Sequence, residues 1–493
     1  MKIISKILLT FIAIVALSSC EDLDQDPYNK LSTENAFKNV ENASYWRNGF
    51  YKKLRDTIYH YQRTAPETQS DLLNAGIDYG NNYGEQQQWK ILTGNRYISN
   101  IWQKQFQALA SINLCIEKFP SIATKSADER RTLNQYLGEA YAFRAYHFFT
   151  LLQRFCPKYE DSNKNIAELG LPMVLTYDPN ALPRRATIEE TYTQILSDIG
   201  QAEILLADKT GSIGANTFTI DGVRALKARI LLNKQDYAGA YEVAKTLVDS
   251  NRYPLVTTQT DLEAMWHRDA KNESILQLFM ATDEVSYAYD YDIYLGYIAN
   301  KKAYKADYVP SKWVVDLYES QDLRKNVYLK EVKVEYSTGT FTSTLVNKYP
   351  QGLYLGVTNY VHAAKIFRIA EQYLIAAEAA YKNGDENNAR TYLNSLRTAR
   401  GLTNVTATGN DLFTAIKTER LRELAFEGFR LDDLKRWGDP VKRHDPQDIT
   451  YLQRTPASDY QELNKEANHY MFTWPIPAYD MQTNTNLKQN TGY

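Results

Sequence analysis

Six histidines (His60, His147, His267, His362, His444 and His469) are the side chains of this 493-residue sequence best suited to proton transfer or zinc binding. None of them falls in a His-Glu-x-x-His pair, the spacing that sets two imidazoles on one helix face. The sequence holds no Gly-x-Ser-x-Gly elbow, phosphate loop or dinucleotide fingerprint. Asp22, Asp24 and Asp26 have the spacing of a calcium loop, but Pro27 replaces its turn glycine and Thr33 its closing acid. No catalytic centre, metal site or cofactor is expected. What remains is chemistry of contact. Tyr79, Asn81, Asn82, Tyr83, Gln86, Gln88 and Trp89 crowd a Gly/Asn-rich stretch at 74–97, which ends with Asn95 and Arg96. Tyr287, Tyr289 and Tyr291 alternate, so an extended chain would turn all three to one face, with Asp283, Asp290 and Asp292 nearby. Rings offer flat stacking faces, and amides, guanidinium and carboxylates offer hydrogen bonds. Each cluster has two readings: contact with a ligand, or rings that pack a loop onto the body.

The elements that must carry these clusters are helices. Asp128 to Phe155 shows 3.6-residue apolar periodicity and stops before Pro157; Thr187 to Leu206 repeats the pattern, with Thr187 and Glu190 spaced as a capping box. Two segments match at an offset of 149: Leu226, Ala228, Leu231, Asp236, Ala240 and Leu247 against Ile375, Ala377, Ala380, Asp385, Ala389 and Leu396. Small residues at these positions let antiparallel helices approach closely, the logic of tetratricopeptide hairpins. Between them lies non-helical chain, including a β-hairpin over 327–349 that turns at Ser337-Thr338-Gly339-Thr340. The predicted fold is mainly α: tetratricopeptide-like helix pairs forming a scaffold, with long loops and a small β-hairpin region. A formal charge of −2 gives no basic stripe, which argues against a nucleic-acid partner. Three cysteines exclude a disulfide framework, and Cys115 and Cys156 are expected as buried free thiols. Tyrosines number 38, against 17 Phe and 7 Trp, an excess that suits a contact surface as well as a core.

At the N-terminus Lys2 and Lys6 precede an apolar run from Ile7 to Leu17, too short to span a membrane and fitted to a signal peptide. Leu17-Ser18-Ser19-Cys20 resembles the lipobox of bacterial lipoproteins, which implies cleavage before Cys20 and its acylation. Glu21, Asp22, Asp24 and Asp26 then form an acidic segment that resembles a surface-export signal and reads as a tether. The expected division is signal peptide 1–19, flexible tether 20–32 and a single domain 33–493, with loop insertions near 74–97 and 268–360.

Three C-terminal blocks carry a sharper resemblance. The first is Phe367-Arg368-Ile369-Ala370-Glu371 through Ala379, followed by Leu393-Asn394-Ser395-Leu396-Arg397 and Arg400-Gly401. The second runs from Glu419-Arg420 through Phe426-Glu427-Gly428-Phe429-Arg430 to Asp433-Leu434-Lys435-Arg436-Trp437-Gly438. The third comprises Trp474-Pro475-Ile476-Pro477 and Gln489-Asn490-Thr491-Gly492-Tyr493. In this order behind a lipobox, they closely resemble the SusD/RagB family of outer-membrane nutrient-binding lipoproteins. The resemblance implies a non-enzymatic protein, anchored in the outer membrane and exposed at the surface. It would capture oligosaccharides, or in some members peptides, above a SusC-like TonB-dependent transporter; the remaining alternative is a scaffold lipoprotein that binds no small ligand and uses its helix pairs for protein contacts alone. The family's ligand contacts follow no fixed motif, so Tyr79, Asn81, Tyr83, Trp89, Arg96, Tyr287, Tyr289 and Tyr291 are expected ligand contacts by composition and position alone. In the second block, Arg420 with Glu423 and Glu427 with Arg430 stand three apart and are expected to pair, within an ionic network that fixes the last helices against the repeats.

Overall fold

A computed structural model describes residues 35–281, 296–298, 303–350, 362–452 and 463–493. Cys20 and Tyr287, Tyr289 and Tyr291 lie outside the described residues, as do the expected signal peptide and tether. The sequence periodicities become helices with little change. After α1 (Val40–Thr57), a π-helical turn leads into α2 (Thr64–Gln69), and α3 (Arg96–Lys118) and α4 (Ala127–Phe155) follow. The Thr187–Glu190 capping box opens α5 (Ile188–Leu205), each partner bonding the other's backbone N–H.

The repeat predicted at an offset of 149 holds in detail. Helices α6 (Ile220–Asn233) and α7 (Tyr237–Asp249) correspond to α9 (Ile369–Lys382) and α10 (Glu386–Ala399), with Asp236 and Asp385 as equivalent N-caps. Ala228, Ala240, Ala377 and Ala389 are fully buried, so no side chain holds the paired helices apart. The hairpins, distant in sequence, are neighbours in space: α7 packs on α9, continuing the series α4–α5–α6–α7 into α9, α10 and α11 (Gly409–Leu424). Helices α1 and α3 cover α4 from the other side. The solenoid is therefore continuous in space although the chain leaves it after α7.

That excursion begins with α8 (Gln259–His267), and its base is clasped by an antiparallel pair, β2 (Ser274–Gln277) with β8 (Lys365–Arg368); β8 runs straight into α9. Beyond the clasp, β3 (Gly296–Ile298), β4 (Ala303–Lys305), β6 (Leu329–Tyr336) and β7 (Gly339–Val346) form a sheet in that order, and β5 (Tyr308–Pro310) pairs with β1 (Leu73–Ala75). The hairpin β6–β7 sits where its alternating pattern placed it, with its turn at Ser337 and Thr338. Val332, Val334, Phe341 and Leu345 face a small core of their own. Cys115 and Cys156 are buried and unpaired.

The arginine- and acid-rich block folds into a buried ionic hub, with pairings that differ from the local ones expected. Glu423 accepts from Arg324 (3.1 Å), Arg368 (2.8 Å) and Arg400 (2.9 Å), and all four side chains are at most 2% exposed. Glu427 binds Lys348 and Arg368, each at 2.7 Å. Arg420 pairs instead with Asp433, and Arg430 with Asp71. Helix α11 ends at Leu424 and α12 (Arg430–Trp437) begins beyond a turn with Gly428 at φ +89°, so Glu427 and Arg430 never share a helical face. The spacing rule holds only within one uninterrupted helix. Burial alone would raise the Glu423 carboxyl; Arg400 and Arg368 outweigh it and hold it well below the usual range. The network joins β8, α10, α11 and the insertion, so the expectation of a structural brace holds.

Candidate functional site

The stretch 76–97 turns back on itself by adopting backbone conformations that most side chains avoid. Gly80, Asn81, Tyr83 and Trp89 all lie at positive φ, between 52° and 61°. Asparagine tolerates this region, whereas for tyrosine and tryptophan it is strained, and such strain persists only where surrounding contacts over-determine it. A Cβ on Gly84 would stand 1.8 Å from Asn81 Oδ1, so any larger residue there would displace the Asn81 amide.

Those contacts come from three directions. Asn82 donates to Asp307 (2.7 Å), and its carbonyl accepts from the Tyr308 hydroxyl. Asp78 accepts from both the backbone N–H and the hydroxyl of Ser337, at 2.6 Å each, tying the loop to the hairpin turn. Slight burial opposes its ionisation, but the Ser337 bonds hold its carboxyl below the usual range. From beneath, the buried Arg443 donates to the carbonyls of Leu73, Thr68 and Gln87 at 2.9 to 3.1 Å. Desolvation lowers that guanidinium to about 10, still charged at neutral pH.

On this base stands a patch facing solvent. Asn81 and Arg96 are exposed, and Asn82, Gln88 and Tyr97 are half-buried. Tyr83 stacks on Tyr97 with ring centroids 4.0 Å apart and planes at 18°. The Arg96 guanidinium lies 4.7 Å from the Tyr97 centroid and donates to its hydroxyl (2.6 Å). Tyr79, itself 8% exposed, donates to Asn81 Oδ1 and accepts from Gln88 Nε2. Amide, guanidinium and phenol groups are thus held at fixed positions, suited to hydrogen-bonding a polyhydroxylated or amide-rich ligand.

The sequence expectations divide accordingly. Asn81 and Arg96 are both exposed; Tyr79 bonds Asn81, and Tyr83 stacks on the Tyr97 ring that Arg96 covers. Tyr83 at 2% and Trp89 at 3% exposure are not available as stacking faces, which corrects their reading as direct contacts. Trp89 packs with Leu431, Leu434, Val441 and Phe472, and its indole N–H donates to the Gln69 carbonyl at 2.9 Å. A large ring in a loop gains more by entering an apolar satellite core than by facing water. Sequence reasoning passed over Tyr97 and Asp307; Tyr97 adjoins Arg96 and could have been found as the first aromatic on the α3 face after its Asn95 cap. Among the described residues, no group of three or more His, Cys, Asp or Glu side chains could hold a metal ion, and no helix is long and apolar enough to cross a membrane.

A helical-repeat scaffold that holds a loop and a small sheet on an excursion from the solenoid defines the class. Within it, the chain belongs to the SusD/RagB family. Residues 331–493 match the SusD family, and residues 22–232 match a family described as starch-binding and associating with the outer membrane. The SusD-like protein P38 of Formosa agariphila is 24% identical, over 90% of this chain and 93% of its own length. Among solved structures, a putative sugar binding protein from Bacteroides vulgatus superposes with a TM-score of 0.78 at 24% identity, covering 93% of this chain and 99% of that one. NanU of Bacteroides fragilis superposes with a TM-score of 0.73 at 21% identity, covering 95% and 99%.

Proposed function

We propose that this protein is a cell-surface lipoprotein that captures oligosaccharides and delivers them to a SusC-like TonB-dependent transporter, without chemistry of its own. Acyl chains on Cys20 anchor it to the outer membrane. The observation that carries this reading is the solvent-facing group of Asn81, on a strained, triply anchored loop, with Arg96 and Tyr97 at the start of α3. Preorganised donors and acceptors lose little freedom when a hydroxylated ligand binds, and the open surface suits a chain lying across it. The starch-binding family matched by residues 22–232 and the structural likeness to a putative sugar binding protein of B. vulgatus support the same ligand class.

Isothermal titration against a panel of poly- and oligosaccharides tests it. At least one should bind, and Arg96→Ala and Tyr97→Ala should each weaken it about tenfold, the loss of about 1.4 kcal/mol of contact. Binding of peptides with no sugar bound, or full affinity in both variants, rejects the reading. The anchor is checked separately: Cys20→Ser should abolish incorporation of radiolabelled palmitate.

A further inference from the structure

A second cleft lies across Trp89 from the patch. Its volume is about 280 Å3, and its walls come from residues 157–169, the end of α12 and the C-terminal chain at 468–473 and 490–491. Tyr470 forms its aromatic wall at 39% exposure. That ring lies directly on Gly492, at φ +96°, where a Cβ would stand 2.3 Å from the ring; only glycine lets the chain end pass beneath it. His469, beside Tyr470, is held from behind by the Trp89 ring, edge to face at 5.7 Å. Lys158 and Glu160, paired at 2.9 Å, place one positive and one negative group in the opposite wall. Lys435 closes the floor, donating to the Gln153 and Cys156 carbonyls. Asn490 spends its amide on Phe155, Trp474 and Arg185 and serves structure only. Among the described residues, the Asn468 amide and the Thr491 hydroxyl make no hydrogen bond, and both are exposed at the cleft. Asn468 also sits at φ +64°, a conformation that turns the chain back at this rim.

We propose that this cleft binds a single neutral pyranose unit, stacked on Tyr470 and hydrogen-bonded by Asn468 and Thr491. Its volume is just below the usual range of about 300–1,000 Å3 for ligand cavities, which admits one ring and not a chain. A partly exposed aromatic face flanked by unengaged amide and hydroxyl groups complements one face and edge of a sugar. Lys158 is paired with Glu160 and Lys435 is spent on the Gln153 and Cys156 carbonyls, so the cleft is not built to select a uronic acid. The cleft shares no lining residue with the patch and stands independently of the function proposed for it.

The full-length chain is titrated by saturation-transfer NMR with methyl glycosides of glucose, galactose, mannose, N-acetylglucosamine and glucuronic acid. A neutral methyl pyranoside should bind. Tyr470→Ala should weaken it about tenfold, and Tyr470→Phe should retain it. Three outcomes overturn the proposal: no methyl glycoside bound, affinity unchanged in both Tyr470→Ala and Asn468→Ala, or a preference for the glucuronide over every neutral ring. Melting curves of each variant separate lost binding from lost folding.

Discussion

Arginine is used in two opposite ways in this molecule. At the hub, Arg324, Arg368 and Arg400 are at most 2% exposed and converge on one carboxylate. At the patch, Arg96 is exposed, rests on an aromatic ring and hydrogen-bonds a phenol. A guanidinium sealed away from water with its counter-charges fixes the relative positions of the elements that supply them, and removing one partner leaves uncompensated charge. A guanidinium at the water interface on an aromatic ring contributes little to stability. The residue type is the same, and burial decides the role.

The comparison breaks most visibly at Glu423. Glu423→Ala should destabilise the fold by about 3–5 kcal/mol, because three buried guanidinium groups lose their common acceptor. Chemical denaturation measures this, and a loss below about 1 kcal/mol would mean that water or rearrangement replaces the hub. A middle case is Trp89. Trp89→Phe removes the bond to the Gln69 carbonyl and part of a packed ring, at about 2 kcal/mol, while saccharide affinity should stay within about threefold. A large affinity loss at unchanged stability would return Trp89 to the list of contacts.

A subtler test is Glu67, beneath the hub. One carboxylate oxygen accepts from the Gly428 N–H at 2.7 Å and the other has no hydrogen-bond partner among the described residues; burial raises its pKa to about 8. A carboxyl whose folded value lies above its unfolded one favours folding fully below the unfolded value and progressively less as pH rises through the folded one. From about pH 5 to 7, wild-type stability should therefore fall relative to Glu67→Gln, by up to about 1.4 kcal/mol per pH unit. Parallel curves for the two proteins would show that the site is wet. The smallest effect belongs to the repeat: Asp236→Ala and Asp385→Ala should each cost about 1 kcal/mol, equally, because both cap equivalent helices.

Much of the scaffold was legible because helix pairs announce themselves locally, through alanine spacing, caps and the 149-residue offset. The adjacency of α7 and α9 was not, since nothing in a chain interrupted by more than a hundred residues marks its two ends as neighbours. The hub pairings failed for a related reason: Arg420 and Glu423 stand one turn apart, yet each finds a stronger partner across the tertiary structure. At the patch, composition picked out Asn81 and Arg96, which the fold leaves exposed, but could not separate an exposed ring from a buried one. Trp89 was misread because a loop tryptophan has an apolar refuge only once Leu431, Val441 and Phe472 have been brought to it.

The clasp between β2 and β8 has a consequence for how this scaffold can change. The two ends of the excursion leave the solenoid side by side at this clasp, while β5, Arg324 and Lys348 tie its interior back to the frame. Closing a flexible loop becomes harder by only about 0.6 kcal/mol for each doubling of its length. Longer connections can therefore be spliced into the loops of the excursion away from β5, Arg324 and Lys348 while the repeat interfaces go undisturbed, so what those loops present to the outside is free to diverge faster than the frame that holds them.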